Sequence, residues 1–227
     1  VKTYILYHNH PKSIQYSKEA AKSCDDLGIP YELFEGYGNI MSADAARDLG
    51  VISDPNIKDK YDINHTRNKA SLCSLSHAAI WKKMAEEEHD AIILEHDAIM
   101  LYKFELNIPE GEIVQLGYKV NNIKSYDHLA AGKPKNLTAI TTHCGSHAYA
   151  LTHGSAKILW EGVKHRKGTG CIDQHVMQTK KYRQNLSMSI ADPICALGWL
   201  RESTIWNKAS RTNKTFISSF GNYYESK

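Results

Sequence analysis

The stretch Asp90-Ala91-Ile92-Ile93-Leu94-Glu95-His96-Asp97 constrains this chain more than any other. A short apolar run rich in β-branched residues reads as a buried strand. It ends abruptly in two carboxylates around a histidine. Open α/β sheets present ligands at the carboxyl ends of their strands. Carboxylates there are hard oxygen donors, suited to Mg²⁺ or Mn²⁺ carrying a phosphorylated group. Alternation along a persisting strand puts Glu95 and Asp97 on one face and His96 on the other. Asp97, furthest along, is the first candidate metal ligand; Glu95 is the second, or orients it. An acidic strand end that merely meets solvent is the plain alternative, but carboxylates directly after a buried strand are costly unless used.

The flanking pattern is that of an α/β protein. Tyr4 to Tyr7 reads as a strand ending in the polar turn His8-Asn9-His10-Pro11. Ile14, Ala20, Ala21, Cys24 and Leu27 fall at helical spacing, with Gly28 as the stop. Ile29 to Phe34 reads as a second strand ending at Glu35-Gly36, which completes a strand–helix–strand unit. Residues 39–67 show no clear period. Asn68 to Glu88 reads as a long helix with Leu72, Leu75, Ala79, Ile80 and Met84 on one face. Further strands are expected at 112–116, 137–141, 147–151 and 188–191, and helices at 154–163 and 172–181. A long loop is expected over 117–136, and the tail from Trp199 has no clear assignment. The chain of 227 residues therefore reads as one α/β domain with a mostly parallel central sheet flanked by helices.

Composition narrows the class. No apolar run approaches the ~20 residues of a spanning helix, and Val1 to Tyr7 is too short and polar-flanked for a signal peptide. A soluble, cytoplasmic protein whose mature chain starts near Val1 is the expectation. Cys24, Cys73, Cys144, Cys171 and Cys195 are scattered and form no C-x-x-C pair, which speaks against a disulfide framework or structural zinc. The 12 histidines show no H-E-x-x-H spacing. Between Lys157 and Arg183 seven Lys/Arg face Glu161 and Asp173. That is either a polyanion-binding surface or a solvated basic face.

Several stretches, in order, resemble glycosyltransferase family 25, the lipopolysaccharide and collagen galactosyltransferase-like group, and especially its short phage and viral forms. Ser76-His77-Ala78-Ala79-Ile80-Trp81 resembles the family's Ser-His motif. Ile93-Leu94-Glu95-His96-Asp97-Ala98 resembles its Glu-Asp-Asp motif, with His96 in place of the middle acid. Gly145-Ser146-His147-Ala148-Tyr149-Ala150-Leu151, then Gly154 to Leu159, resembles its Gly-x-x-Ala-Tyr segment and the following helix start. Ile172-Asp173-Gln174-His175 resembles its late aspartate motif. The resemblance spans roughly residues 1 to 205. The family's arginine early in the first helix is missing, and Lys12 or Lys18 stands in its place.

The resemblance implies a GT-A type domain that binds a nucleotide sugar, a UDP-sugar foremost, with Mn²⁺ or Mg²⁺. Residues 1–100 would form the nucleotide-sugar half and 101–227 the acceptor half. It implies inverting transfer by single displacement to an acceptor hydroxyl. That reaction needs a charge-neutralising ion for the leaving diphosphate, a base and fixed geometry. Asp97 and Glu95 are then the metal ligands and Asp173 the base, although an acid at a helix start also fits the helix dipole alone. His8, Asn9, Glu35, Gly36, Ser76, His77 and Glu95 are the expected donor contacts. Loop chemistry accounts equally for any one of the strand-end residues, and a structural hydrogen bond for His77. His147 and Tyr149 are expected on the acceptor side, Tyr149 either packing or touching acceptor, and Trp81 in the core. The acceptor is open between a hydroxylated base of phage DNA and a glycan or protein hydroxyl. A phosphohydrolase or nucleotidyltransferase using the same carboxylates, or a non-catalytic sugar- or nucleic-acid-binding module, are the alternatives.

Overall fold

The computed structural model describes residues 1–51, 65–119, 131–141, 145–164, 172 and 186–198. The chain opens with β1 (Lys2–Tyr7), α1 (Pro11–Asp26) and β2 (Glu32–Glu35). The apolar period over 13–27 produces α1, and its limits follow local chemistry. Pro11 occupies the first turn, where its missing N–H costs nothing, and the His10 ring accepts from the Lys12 N–H. Gly28 turns the chain out of the helix at φ +61°, donating to the Asp25 carbonyl.

Next come α2 (Ser42–Asp48), α3 (His65–Glu86), β3 (Ala91–Glu95) and β4 (Ala98–Met100). Helix α2 lies in the stretch without a clear period. Its core contribution comes from Ala43, Ala45 and Ala46, too small to mark a face. The acidic end of α3 is offset by cations: Lys83 and Lys2 both bind Glu87 and hold its carboxyl down at about 2. The remainder is β5 (Glu112–Gln115), β6 (Gly117–Lys119), β7 (Asn136–Ala139), β8 (Ala148–Leu151), α4 (His153–Lys164), β9 (Ser187–Asp192) and β10 (Ala196–Gly198). The start of the expected 117–136 loop is thus strand β6. The helix expected over 172–181 lies outside the described residues apart from Ile172, as does the tail.

Seven strands form the main sheet in the order β2-β1-β3-β8-β5-β9-β7. The β1–β2, β1–β3 and β5–β9 pairs are parallel, while β8 and β7 run against their neighbours. The class is therefore the expected α/β, with a mostly parallel sheet. A second, three-stranded sheet, β4-β10-β6, takes over where the chain leaves β3.

Alternation sorts side chains to two faces. Tyr4, Leu6, Ile93, Tyr149 and Leu151 pack with Leu72, Leu75, Trp81 and Met84 of α3 and Leu159 and Trp160 of α4. Ile5, Ile92, Leu94, Ala148 and Ala150 pack with Ala20, Ala21 and Cys24 of α1 and with the small sheet. Each fully buried Ile or Leu contributes ~1.5–3 kcal/mol of apolar transfer. This two-sided burial makes β3 an uninterrupted apolar run rather than an alternating one.

The order β2-β1-β3 fixes where a ligand goes. From β1 the chain moves through α1 to one neighbour, then through α2 and α3 to the other side. The two crossovers diverge, so a crevice opens above the carboxyl ends of β1 and β3.

Candidate active site

A cleft occupies that crevice. It is lined by Leu6, Tyr7 and His8 from the end of β1, Tyr37 to Asn39 after β2, Lys69, Cys73 and Ser76 from α3, and Glu95 and His96 at the end of β3. The cleft is open to bulk solvent.

Glu95 is its best-anchored polar group. It follows Ile93 by two residues, so it points to the face covered by α3. There Oε1 meets His77 Nε2 at 3.2 Å and accepts from the Ser146 hydroxyl. Only 12% of the Glu95 side chain is exposed, and His77 is fully buried. His77 Nδ1 lies 2.7 Å from the Tyr149 hydroxyl, which accepts from Trp81 Nε1 at 3.0 Å. One proton arrangement satisfies the whole chain. Trp81 N–H donates to the phenol oxygen, the phenol O–H donates to Nδ1, and the Nε2–H donates to the carboxylate. Burial holds the phenol protonated well above its ordinary range. Helix spacing creates this line, since His77 and Trp81 are one turn apart on α3 and both face β8.

Ser76 and Gly36 form a joint between α3 and the end of β2. The Ser76 hydroxyl donates to the Leu72 carbonyl and accepts from the Tyr37 N–H at 2.9 Å. A Cβ on Gly36 would sit 2.6 Å from Ser76 Oγ and 2.8 Å from Leu6 Cδ1. Glycine is required by this close approach rather than by a turn.

His8 sits at the mouth of the cleft. Burial, with His96, His10 and Lys69 nearby, pushes it down to about 4. It is therefore a neutral ring at neutral pH, anchored through Ser13. His96 stacks on Tyr16 at 6.0 Å and meets His8 edge-on at 5.4 Å.

The expected site residues divide as follows. His8, Ser76 and Glu95 line the cleft, and His77 lies beneath Glu95. Gly36 supports the wall. Asn9 contributes its carbonyl to Asn39, and Glu35 is exposed at the end of β2 beside Tyr7, so neither lines the cleft. The tight turn at residues 96–97 cancels the alternation expected beyond Glu95. His96 faces the cleft with Glu95, and the half-buried Asp97 is not among the lining residues. His147 and Tyr149 share a burial class but not an acceptor surface: both are fully buried. His147 presents its carbonyl to the Glu95 N–H at 2.7 Å, and Tyr149 serves His77. Trp81 is core, as expected. Asp173 lies outside the described residues. Lys69, Cys73 and Tyr37 are lining residues that sequence reasoning passed over. Positions 69, 73 and 76 recur at helical spacing, a signal that the apolar face of α3 obscured.

Glu95 and Asp97 are both hard oxygen donors of the kind that suits a divalent cation, and of the two Glu95 is the one that lines the cleft. Two softer donors, Cys73 and His77, lie beside Glu95. Cys73, His77 and Glu95 each bring one ligand atom within 4.8 Å of the others.

The sequence model of glycosyltransferase family 25 (LPS biosynthesis protein) matches residues 12–177. No curated protein matches the chain. Several solved structures are similar in fold. A glycosyltransferase involved in glycosylation of the major capsid of PBCV-1 shares 10% identity over 87% of this chain and 94% of its own, with a TM-score of 0.40. The galactosyltransferase LgtC shares 10% identity over 98% and 96%, with a TM-score of 0.45. Mouse xyloside xylosyltransferase 1 shares 13% identity over 98% and 92%, with a TM-score of 0.41. Likenesses this remote add nothing to the assignment, which rests on the family match over residues that include α3, β3 and β8. The chain belongs to glycosyltransferase family 25 and is a nucleotide-sugar-dependent glycosyltransferase.

Proposed function

We propose that the cleft between β1 and β3 holds the donor, a UDP-sugar foremost, and that the enzyme transfers its sugar with inversion to an acceptor hydroxyl. The observation that carries this reading is Glu95. It is a carboxylate fixed by His77 and Ser146 at the fold's switch point, facing the cleft. Among the described residues, those lining the cleft fall between positions 6 and 96, which supports residues 1–100 as the donor half and 101–227 as the acceptor half. Lys69 is placed to meet the diphosphate, since His8 is neutral at working pH. Asp97, with Glu95 beside it in sequence, would hold Mn²⁺ or Mg²⁺. Such an ion neutralises charge on the departing diphosphate. Asp173 is assigned as base from its motif, to take the acceptor proton. His147 and Tyr149 are assigned to positioning, because their burial leaves no surface for an acceptor.

The acceptor is a glycan or protein hydroxyl, or a hydroxylated base in DNA as suits a short phage or viral enzyme. Steep salt dependence of duplex binding separates the DNA acceptor from the others. Scattered cysteines, of which Cys24, Cys73 and Cys195 are thiols, favour a reducing compartment such as the cytoplasm, the host's if the chain is viral. No helix among the described residues is long and apolar enough to cross a membrane.

The test is to incubate the full chain with a panel of nucleotide sugars and Mn²⁺ and measure free nucleoside diphosphate. One donor should be turned over slowly without acceptor, and Asp97→Ala should abolish that turnover. Donor binding without turnover, indifferent to chelator, would instead favour a silent binding module. Phosphate release from simple esters, with no sugar donor, would favour a phosphohydrolase.

A further inference from the structure

The geometry points to a second class of metal site beneath the cleft: Cys73, His77 and Glu95 form a thiolate–imidazole–carboxylate site for Zn²⁺ or a similarly soft divalent ion. The three ligand atoms lie within 4.8 Å of one another. His77 Nε2 and Glu95 Oε1 are 3.2 Å apart, close to the ~3.3 Å edge of a tetrahedron with bonds of ~2.0–2.1 Å. Cys73 and His77 are four residues apart and therefore adjacent on one face of α3. Glu95 approaches from β3, so two rigid elements carry the three ligands.

The surroundings are those of a metal site. A ligating histidine is usually oriented through its other ring nitrogen. Here the Tyr149 hydroxyl meets Nδ1 at 2.7 Å and is itself fixed by Trp81. Ser146 holds the Glu95 carboxylate. His77 is fully buried, while Cys73 and Glu95 line the cleft. An ion enters from the cleft, which also leaves a fourth position for water or a ligand. On binding, the Cys73 thiol gives its proton to solvent and the sulfur ligates as thiolate. The imidazole proton moves from Nε2 to Nδ1, and the phenol O–H turns away from Nδ1 so that its oxygen accepts that proton alongside the Trp81 N–H. This site shares Glu95 with the proposed Asp97–Glu95 pair, and the thiolate sets its preference, because sulfur selects Zn²⁺ over Mg²⁺ or Mn²⁺. The site stands whether or not the cleft takes a nucleotide sugar.

Cobalt provides the test. The full chain, reduced and stripped with chelator, is titrated with Co²⁺ in the absence of any nucleotide sugar. A thiolate-to-cobalt charge-transfer band, with intense visible bands of four-coordinate Co²⁺, should appear at one equivalent and vanish as Zn²⁺ displaces it. Cys73→Ser should lose the charge-transfer band. Tyr149→Phe should keep it but weaken the affinity roughly tenfold, as loss of a ligand-orienting partner does. Should Cys73→Ser fail to fold, the wild-type chain decides the matter: Zn²⁺ must protect Cys73 from alkylation, read by peptide mass. Absence of the band, its persistence in folded Cys73→Ser, or unchanged alkylation of Cys73 with Zn²⁺ would each overturn the site. Glycosyl transfer is assayed separately, so a chain that transfers sugar but binds no Co²⁺ loses this site and keeps its family activity.

Discussion

Replacing Tyr149 by Phe removes one oxygen and no carbon, so it isolates the hydrogen-bonded line from the packing around it. In the wild-type chain the phenol satisfies two buried groups, Trp81 Nε1 at 3.0 Å and His77 Nδ1 at 2.7 Å. Trp81, His77 and Tyr149 are all fully buried. Water therefore cannot replace the lost partner without opening the core. Leaving a buried donor or acceptor unmade costs ~1–3 kcal/mol per group. Phe gains a little in hydrophobicity, so the expected loss is ~2–4 kcal/mol. At ~2–4 °C per kcal/mol for a chain of this length, the melting temperature should fall by roughly 4–16 °C. Urea unfolding followed by tryptophan fluorescence and circular dichroism measures the loss directly, and the slope of the transition should be unchanged. Ser146→Ala supplies a coupling test, because Ser146 and Tyr149 act on Glu95 from opposite ends of the line. The double variant should depart from additivity by at least ~0.5 kcal/mol. A Tyr149→Phe chain within ~0.5 kcal/mol of wild type, or strict additivity with Ser146→Ala, would refute the continuous line.

Two further expectations concern the walls of the cleft. Gly36→Ala forces a Cβ to within 2.7 Å of Ser76 Cβ and 2.8 Å of Leu6 Cδ1; overpacking of this kind costs ~1–3 kcal/mol, read as a lower urea midpoint, and a midpoint equal to wild type would show that α3 is not pinned there. His8 makes stability depend on pH: the unfolded chain titrates it at 6.5 and the folded chain at about 4. Between those values the unfolded state binds the extra proton, so stability is intact above pH 6.5 and declines as pH falls toward 4, by up to ~1.4 kcal/mol per pH unit. His8→Asn should flatten that decline by about one proton; an identical pH profile would remove His8 as its source.

What the sequence revealed follows from the kind of signal each element carries. Helix α1 and strands β1, β3, β8 and β9 are legible because burial imposes a period or an unbroken apolar run. Helix α2 escapes because alanines bury little area and leave no amphipathic contrast. Strands β4, β6 and β10 span three residues each, too short for any period, and their pairing is decided by distant partners. In the site, Glu95 was visible as a carboxylate on a buried strand. The facing of His96 and Asp97 was not, because a tight turn right after Glu95 replaces the alternation assumed there. Tyr149 read equally as packing or contact, since a phenol in an apolar strand announces only that its hydroxyl needs a partner.

The partner turns out to be the reason the motifs occur together. Ser76-His77 lies on α3, Glu95 on β3, and Ser146 with Tyr149 on β8 and its approach; β8 and β3 are hydrogen-bonded neighbours, with Ile93 opposite Tyr149. Three stretches far apart in sequence thus converge on one carboxylate, and each contributes something the others cannot. The strand β3 brings the charge, α3 brings a buried imidazole, and β8 fixes that imidazole from behind. Removing any one leaves a buried polar group unmatched, which costs more than the bond itself was worth. A carboxylate held this way has lost the freedom to swing toward solvent. It meets a ligand in one orientation, so the reorganisation is settled on folding rather than during each encounter.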